Sequence, residues 1–320
     1  MSALLPLEEA QQRLLALAPS MGSEEVAVEA ALGRVLASDL KAARTQPFAD
    51  LSAMDGYAVV GKGPWKLVGE SRAGAPFEDA ITAGEAIRIS TGAHMPKGSD
   101  RVLIQENAQI EGTRLSTDEP PAAMQHVRRR GFDFADGDTV LAKGTRIGPA
   151  QLALVMAAGH ARLTVVKPPK VAVLDSGDEL AADPSACNPH QIPASNGAMI
   201  AAMLAPLVGP CERLGPVGDS MDALAAALGR ADDCDVLITS GGASVGDHDL
   251  VQAALREWGA DLAFWKVAIK PGKPLMVATR EVAGRKQVVL GLPGNPVSSY
   301  VTALLFALPL VRAALGMQNS

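Results

Sequence analysis

The sequence has few aromatic residues and no excess of positive charge. Phe, Tyr and Trp together make up 3% of the 320 residues, so Ala, Val and Leu must fill the core that a hydrophobic content of 48% allows. The formal net charge of -6 argues against a nucleic-acid-binding protein, since such proteins normally carry a basic face. An anionic substrate is still compatible with this charge if lysines or arginines cluster locally.

Long apolar runs and patterned cysteines are also missing. No stretch approaches 18 uninterrupted apolar residues, which predicts no membrane span, and the N-terminal "MSALLPLEEAQQRLL" lacks the basic segment of a secretory signal peptide. Cys187, Cys211 and Cys234 do not have the spacing of a metal site. Together these features predict a reduced, cytoplasmic protein with neither a membrane nor a nucleic-acid partner.

The character of the chain changes at about residues 44, 129 and 169, which predicts a multidomain α/β protein. Helical spacing over 6–18 and 23–37, with Ser23 as a cap, gives way to short β-type runs and then to apolar strands that alternate with helices. The last pattern is typical of an α/β domain with a mainly parallel sheet. We therefore expect a linking domain (1–43 and 129–168), an inserted β-rich domain (44–128) and an α/β domain (169–320).

Three glycine-rich turns follow predicted strands of the α/β domain: "SGDEL" at 176–180, "SGGASVGDHD" at 240–249 and "GLPGNP" at 291–296. Ligands of open α/β sheets lie beyond the carboxyl ends of the strands. Glycines let backbone N–H groups approach an anion there, and acids can hold a divalent cation that bridges phosphates. Any single turn of this kind can be an ordinary chain reversal, with Asp249 capping the next helix, but three on one edge favour a ligand site.

A lysine-rich segment, "FWKVAIKPGKPLM" at 264–276, adds cations to this picture. Lysine is a compact point charge suited to phosphate or another oxyanion. Alone, the segment could be a solvated turn; beside acid-rich turns it favours a site for an anion and a metal ion. In the first half, "SAMDGYAVV" (52–60) and "STGAHMPKGSDRVLIQE" (90–106) are further dense turns, and His94 in the second is interpreted as an ordinary loop residue.

Seven motifs in order give the chain a family resemblance. They are "SAMDGYAV", "TGAHMPKGSDRVLIQE", "RRRGFDFADGD", "SGDEL", "TSGGASVGDHD", "FWKVAIKPGKP" and "GLPGNPVSS". Together they resemble the MoeA family of molybdopterin molybdenumtransferases, to which the gephyrin E domain also belongs, from about residue 5 to residue 316. The "GGxSxGxxD" pattern alone would be weaker, because smaller molybdopterin-binding proteins and CinA-like proteins share that fold.

The resemblance implies a fold and an activity. The α/β domain would be a three-layer, MogA-like molybdopterin-binding domain. The protein would be a cytoplasmic transferase that uses Mg²⁺ to insert molybdate into adenylylated molybdopterin and releases AMP. It would form an elongated homodimer whose active site lies between the α/β domain of one subunit and the β-rich domain of the other. Other proteins of molybdenum cofactor biosynthesis would be candidate partners.

The resemblance also implies site residues, matched motif by motif. Catalytic roles fall on Asp55, Thr91, Asp133, Glu179, Asp249, Lys266 and Lys270, and the metal would be held by Asp249 and Glu179. Cofactor-binding roles fall on Asp219, Ser240, Gly241, Gly242, Ser244, Gly246, Lys273, Pro293, Gly294, Asn295 and Pro296.

The sequence departs from the family pattern at several points. Full-length members continue past the "LPGNP" helix into a C-terminal β-barrel domain, which we expect to be absent here. Ala194 precedes "SN" where a polar residue is usual, and Asp175 and Ser176 stand where Ser-Thr is usual. Three hypotheses therefore stay open: an insertase without the fourth domain, a non-catalytic molybdopterin-binding carrier or accessory protein, and a gephyrin-like structural assembly protein.

Overall fold

A computed structural model describes residues 4–241 and 250–317. The chain divides into two compact units. The α/β unit comprises Met1–Ser38, Ala142–Leu152 and Arg162–Ser320, and the β-rich unit comprises Asp39–Leu141 and Ala153–Ala161. The finer division into linking, inserted and α/β domains stays a prediction.

Helices and strands are numbered in chain order. The helices are α1 (Leu7–Leu15), α2 (Pro149–Ala157), α3 (Ser195–Val208), α4 (Met221–Arg230), α5 (Leu250–Glu257), α6 (Pro296–Thr302) and α7 (Leu308–Ala314), and a π-helical turn, Ala303–Ala307, joins the last two. Short 3-10 turns cover Val28–Ala31, Gln105–Asn107 and Ala231–Asp233. The strands are β1 (Ser23–Ala27), β2 (Leu40–Lys41), β3 (Leu51–Ser52), β4 (Gly56–Val59), β5 (Trp65–Ser71), β6 (Glu85–Ile89), β7 (Arg101–Ile104), β8 (Gln109–Glu111), β9 (Arg114–Ser116), β10 (Val127–Arg128), β11 (Thr139–Leu141), β12 (Arg162–Val166), β13 (Val171–Asp175), β14 (Leu180–Ala181), β15 (Ile192–Pro193), β16 (Glu212–Arg213), β17 (Val236–Ser240), β18 (Asp261–Lys266), β19 (Pro274–Val282) and β20 (Arg285–Leu292).

Six strands of the α/β unit form one sheet in the order β16-β13-β17-β20-β19-β18. The first four pair in parallel, whereas β19 and β18 continue the sheet as antiparallel strands. Parallel neighbours need a crossover that packs on a face of the sheet, and α3 and α4 supply the crossovers among β13, β16 and β17. The expected parallel sheet is confirmed for its central strands, and short hairpin connections account for the antiparallel side.

Helices cover both faces of this sheet. Ile238 of β17 belongs to one apolar core with Ile200 of α3 and Phe306 of the π-helical turn. Leu237, the preceding residue, belongs to a second core with Leu224 of α4. Successive strand residues face opposite sides of a sheet, and each such side chain contributes about 1.5–3 kcal/mol when fully buried. This is the three-layer arrangement that the family resemblance implies.

One helical stretch, Pro296–Ala314, is long and apolar enough to cross a membrane when judged by length and composition alone. Half of its most apolar window is buried inside the fold. Phe306 and Leu310 have no exposed surface and belong to the first core described above. The stretch therefore has the burial of a core helix, and packing against the sheet accounts for its apolar composition.

Residues 23–37 are not a helix, so that sequence prediction is wrong. Ser23–Ala27 forms β1, which pairs antiparallel with β12, and Ser23 is a strand residue rather than a helix cap. Val28–Ala31 forms a single 3-10 turn. Pairing with a strand about 140 residues away outweighs the weak local preference of this segment, as tertiary contacts commonly do.

The β-rich unit contains a second six-stranded sheet, in the order β7-β4-β6-β5-β9-β8. All four residues of β4 are buried, with Tyr57 and Ala58 in separate apolar cores on the two faces. At Gly56, which begins β4, an added Cβ would lie 2.1 Å from the backbone oxygen of Leu103. The close approach of β7 therefore requires glycine in the "MDGYA" motif for packing, whatever else the motif does.

Candidate functional site

The carboxyl ends of three parallel strands lie side by side at one edge of the α/β sheet. Asp175 ends β13 and is in register with Ser240, which ends β17; Ser240 is in register with Leu292, which ends β20. The turns 176–180 and 291–296 therefore leave the sheet at this edge, and the third predicted turn begins there at Ser240. Open α/β sheets bind ligands at such an edge.

A cavity of about 100 Å³ opens among these strand ends. Five residues that the sequence predicts for the site line it: Glu179, Ser240, Gly241, Gly294 and Pro296. Four further polar residues line it: Ser176, which lies in the predicted 176–180 turn, and Asp175, Ser195 and Asn196, which the sequence does not predict for the site. Helix α3 begins at the cavity with Ser195, and a helix N-terminus favours a negatively charged group.

Asn196, the second residue of α3, connects two of the turns that line the cavity. Its amide nitrogen Nδ2 donates to the hydroxyl oxygen of Ser240 and to the backbone oxygen of Gly294, both at 2.8 Å. In the second of these turns Asn295 caps α6, because its side-chain oxygen accepts from the N–H of Ser298 at 3.1 Å. Pro293 completes the turn between β20 and this cap.

Asp175 is a buried carboxylate beside the cavity, with 2% of its surface exposed. Its Oδ2 accepts from the N–H of Gly197 at 3.1 Å and lies 3.5 Å from the guanidinium of Arg213. Burial raises the pKa of Asp175, and the Arg213 charge, the Gly197 N–H and the Ser240 hydroxyl offset that rise only in part. A Cβ on Gly197 would lie 2.0 Å from Oδ2, so glycine at 197 makes room for the carboxylate.

The turn after β13 carries Glu179 and connects to Asp219. The Glu179 side chain is exposed at the cavity, while its backbone oxygen accepts from the N–H of Ile192 at 2.8 Å. The side-chain oxygen of Asp178 accepts from the N–H of Asp219 at 3.0 Å. Asp219 is thus held against the 176–180 turn but does not line the cavity, and its membership of the site stays a prediction.

The lysine-rich segment is the turn between β18 and β19, and it lies at the same edge of the sheet. Lys266 is in register with Pro274 at the start of β19, and two residues later Met276 is in register with Gly291 of β20. Two strand spacings place β18 about 10 Å from β20. The structure thus places the predicted cations at the same end of the sheet as the cavity, although none of them lines it; Lys266, Lys270 and Lys273 all have exposed side chains.

Gly272 fixes this turn against α6. It has a φ of 101°, in the left-handed region that favours glycine. A Cβ at this position would lie 2.6 Å from Cγ2 of Thr302, which is fully buried in α6. The N–H of Val267 donates to the backbone oxygen of Lys273 at 2.8 Å and closes the turn.

In the β-rich unit, the structure brings Asp55 and Thr91 together. The N–H of Thr91 donates to Oδ1 of Asp55 at 2.8 Å. The turn that contains Thr91 is held to β3 by the Ser52 N–H, which donates to the Ala93 oxygen at 2.9 Å. The two predicted residues therefore form one exposed polar group.

Asp133 is paired with a cation in the same unit. Both its carboxylate oxygens accept from Arg128, each at 2.6 Å. The Arg128 guanidinium also lies 5.9 Å from the ring centre of Phe132, whose side chain is exposed. Strand β10 pairs Arg128 with Leu51 of β3, the strand that precedes Asp55.

His94 contacts the Phe48 ring and makes a backbone bridge to Leu51, which agrees with its interpretation as a loop residue.

Four predicted site residues lie outside the described residues: Gly242, Ser244, Gly246 and Asp249.

The chain matches two family models. One, described as the MoeA N-terminal region (domain I and II), matches residues 5–159. The other, described as a probable molybdopterin binding domain, matches residues 172–313.

Curated relatives cover nearly the whole chain. The molybdopterin molybdenumtransferase of Haemophilus influenzae is 34% identical over 324 residues, which covers 99% of this chain and 79% of the relative. The protein of the same name from Bacillus subtilis is 33% identical and covers 96% of this chain and 74% of the relative.

Solved structures give the same result. Two structures described as the molybdopterin biosynthesis MoeA protein of Pyrococcus horikoshii superpose with TM-scores of 0.81 and 0.84, at 31% and 27% identity. Each comparison covers 99% of this chain and 81% of the solved one. The multidomain α/β fold that the sequence predicts is thereby confirmed.

Proposed function

The chain belongs to the MoeA family of molybdopterin molybdenumtransferases, which are transferases of molybdenum cofactor biosynthesis, and we propose that it inserts molybdate into adenylylated molybdopterin with release of AMP. One observation carries this proposal. The cavity at the carboxyl ends of β13, β17 and β20 and the exposed lysine turn lie at the same edge of one sheet. A ligand with several negative charges would find both a recess and neutralising cations there.

The size of the cavity supports binding of one end of such a ligand. Whole ligand pockets measure about 300–1,000 Å³, whereas this cavity measures about 100 Å³. An anionic group would enter beside the first turn of α3, and the rest of the ligand would extend along the edge toward Lys266 and Lys270. Each charge-assisted contact of this kind contributes about 1.5–3 kcal/mol.

The described residues could hold a Mg²⁺ ion only together with phosphate oxygens of the ligand. Within residues 4–241 and 250–317, no group of three or more His, Cys, Asp and Glu side chains could hold a metal ion. Asp175 is already committed to protein donors, so Glu179 is the carboxylate that the described part of the cavity offers. Mg²⁺ is usually held by one or two carboxylates together with substrate phosphates, which fits this donor set. When bound, such an ion would neutralise phosphate charge.

The protein's own contribution to the reaction would be positioning and charge neutralisation. Water adds to the phosphoanhydride, AMP leaves, and the pterin keeps its terminal phosphate. The two dithiolene sulfurs bond to molybdenum, and one molybdate oxygen leaves as water with the two thiol protons. Phosphoryl chemistry of this kind needs no covalent nucleophile from the protein. Lys266 and Lys270 would neutralise the phosphates, and the turns around Ser240 and Gly294 would orient them.

We further propose that the protein acts in the cytoplasm as a homodimer. The β-rich unit of one copy, with Asp55, Thr91 and Asp133, would complete the site of the other. Two-fold dimers are the commonest assembly of soluble proteins, and the family resemblance implies this arrangement.

Mixed dimers test the shared site. If the site is shared, a dimer of one Asp55→Ala subunit and one Lys270→Ala subunit keeps one intact site of two. Random mixing of the two variants gives about half mixed dimers, so activity should rise to about a quarter of that of the wild type, above the level of either variant alone. A site built within one chain would give no restoration.

The central experiment measures molybdate- and Mg²⁺-dependent AMP release from adenylylated molybdopterin by the purified protein. The proposal predicts turnover that stops when either molybdate or Mg²⁺ is omitted. Binding of the pterin substrate without AMP release would overturn the proposal and support a carrier instead.

A further inference from the structure

We infer that Asn196 is a positioning residue of this site, whose carboxamide fixes the turns after β17 and β20 in the arrangement that receives the ligand. The expected effect of Asn196 on KM rests on the proposed function. Its effect on the turns after β17 and β20 rests on geometry alone. Asn196 belongs to the "SN" that follows Ala194, but no motif assigns it a role.

The first step is the pair of hydrogen bonds that one nitrogen makes. Asn196 Nδ2 donates to the Ser240 hydroxyl oxygen and to the Gly294 backbone oxygen, both at 2.8 Å. A carbonyl oxygen can only accept, so the nitrogen and not the oxygen of the carboxamide faces Gly294. Both N–H groups of the side chain are therefore used to connect two turns that line the cavity.

The second step is the direction of the network. Because Ser240 accepts from Asn196, its own hydroxyl hydrogen is free to donate, and Asp175 is in register with Ser240 on the neighbouring strand. The Asp175 carboxylate is fixed in turn by Gly197 and Arg213. Ser240 thus connects the Asn196 amide to the strand pair that carries the buried Asp175 carboxylate.

The third step is a cost that packing alone does not explain. The side-chain oxygen of Asn196 is buried and has no hydrogen-bond partner among the described residues. A buried acceptor left unpaired costs free energy, whereas an apolar side chain of similar shape would not. If residue 196 served only to begin α3, an apolar or fully hydrogen-bonded side chain would give a more stable fold. The cost is explained if the two N–H groups are needed to hold the turns at Ser240 and Gly294, because an apolar side chain has no hydrogen-bond donor.

Two substitutions separate positioning from folding. Asn196→Leu nearly keeps the volume and removes both donors together with the unpaired oxygen; the lost hydrogen bonds and the removed unpaired oxygen act in opposite directions, so its melting temperature should stay close to that of the wild type. Asn196→Ala removes donors and volume. Ser220→Ala is the control, because Ser220 caps α4 in the same unit by accepting from the Ala223 N–H and does not line the cavity.

Hydrogen exchange and kinetics are measured on the full chain. In both Asn196 variants, we expect faster exchange in peptides that span 290–299 and about a tenfold rise in KM for adenylylated molybdopterin, with a smaller change in kcat. Ser220→Ala should lower the melting temperature and leave KM unchanged. If Asn196→Leu folds with wild-type exchange over 290–299 and wild-type KM, the inference is wrong. If the wild type itself shows no turnover, the proposed function fails, and the exchange measurement alone decides whether Asn196 holds the turns.

Discussion

The substitution Gly197→Ala tests the contact between α3 and the buried carboxylate. The new Cβ would lie 2.0 Å from Oδ2 of Asp175. Real contacts of this kind are essentially never shorter than 3.0 Å, so the two atoms must separate by about 1 Å. The Asp175 side chain would then lose its fit to the Gly197 N–H and to Arg213.

The expected magnitude follows from three effects. Overpacking a buried site costs about 1–3 kcal/mol, and weakening the bonds of a buried charged acceptor costs about 1–3 kcal/mol more. Ala gains about 1 kcal/mol over Gly inside a helix. We therefore expect Gly197→Ala to lower the free energy of unfolding by about 3 kcal/mol. Gly229→Ala in α4 is the matched control, since its Cβ would meet nothing within 4 Å, and it should raise that free energy by up to about 1 kcal/mol.

Urea unfolding followed by far-UV circular dichroism measures both variants. The described helices lie mostly in the α/β unit, so this signal reports on the correct part of the chain. Combining Gly197→Ala with Asp175→Ala removes the clashing carboxylate, so most of the penalty of the glycine substitution should disappear in the double variant. Equal unfolding free energies for Gly197→Ala and Gly229→Ala would refute the steric argument.

Three further predictions concern charge and packing. Burial raises the pKa of Asp175. Its contribution to the free energy of unfolding is therefore fully present below the ordinary pKa of 3.8 and is lost as the pH rises through the raised pKa of the folded state. Urea unfolding at several pH values should show a flatter dependence of this free energy on pH for Asp175→Asn than for the wild type. Lys270→Ala should weaken binding of adenylylated molybdopterin by about 1–3 kcal/mol with an unchanged melting temperature, whereas Lys286→Ala, at the opposite end of β20, should leave calorimetric affinity unchanged. Gly56→Ala forces a Cβ against the Leu103 oxygen, so we expect it to unfold the β-rich unit at lower urea concentration; unchanged proteolytic resistance of residues 39–141 would contradict this.

The strands and turns around the cavity could be predicted from the sequence because their signals are local. The run "DVLITS" is apolar and β-branched, and glycines follow it, so both the strand and its end are visible in the letters. The sequence predicts the lysine turn as part of the site only because its positive charges suit an anionic ligand. Its position at the same edge depends on the order of β20, β19 and β18 in the sheet, which no local pattern encodes.

Asn196 and Asp175 were missed for a related reason. An asparagine at the start of a helix is common and carries no information about which distant groups it will meet. Asp175 did give a signal, because an acid ends the otherwise apolar run "VAVL" in a strand that is wholly buried. The sequence shows the acid, but only the fold shows that Gly197 leaves room for it.

The hydrogen-bond partners of Asn196 are distant along the sequence, and this separation determines how early in synthesis the site can form. Its two partners lie 44 and 98 residues further along the chain. During synthesis from the N-terminus, a nascent chain that has not yet emerged past Gly294 has most of the described cavity residues but no way to connect the two turns. The site of the proposed function can therefore be complete only after β20 has joined the sheet.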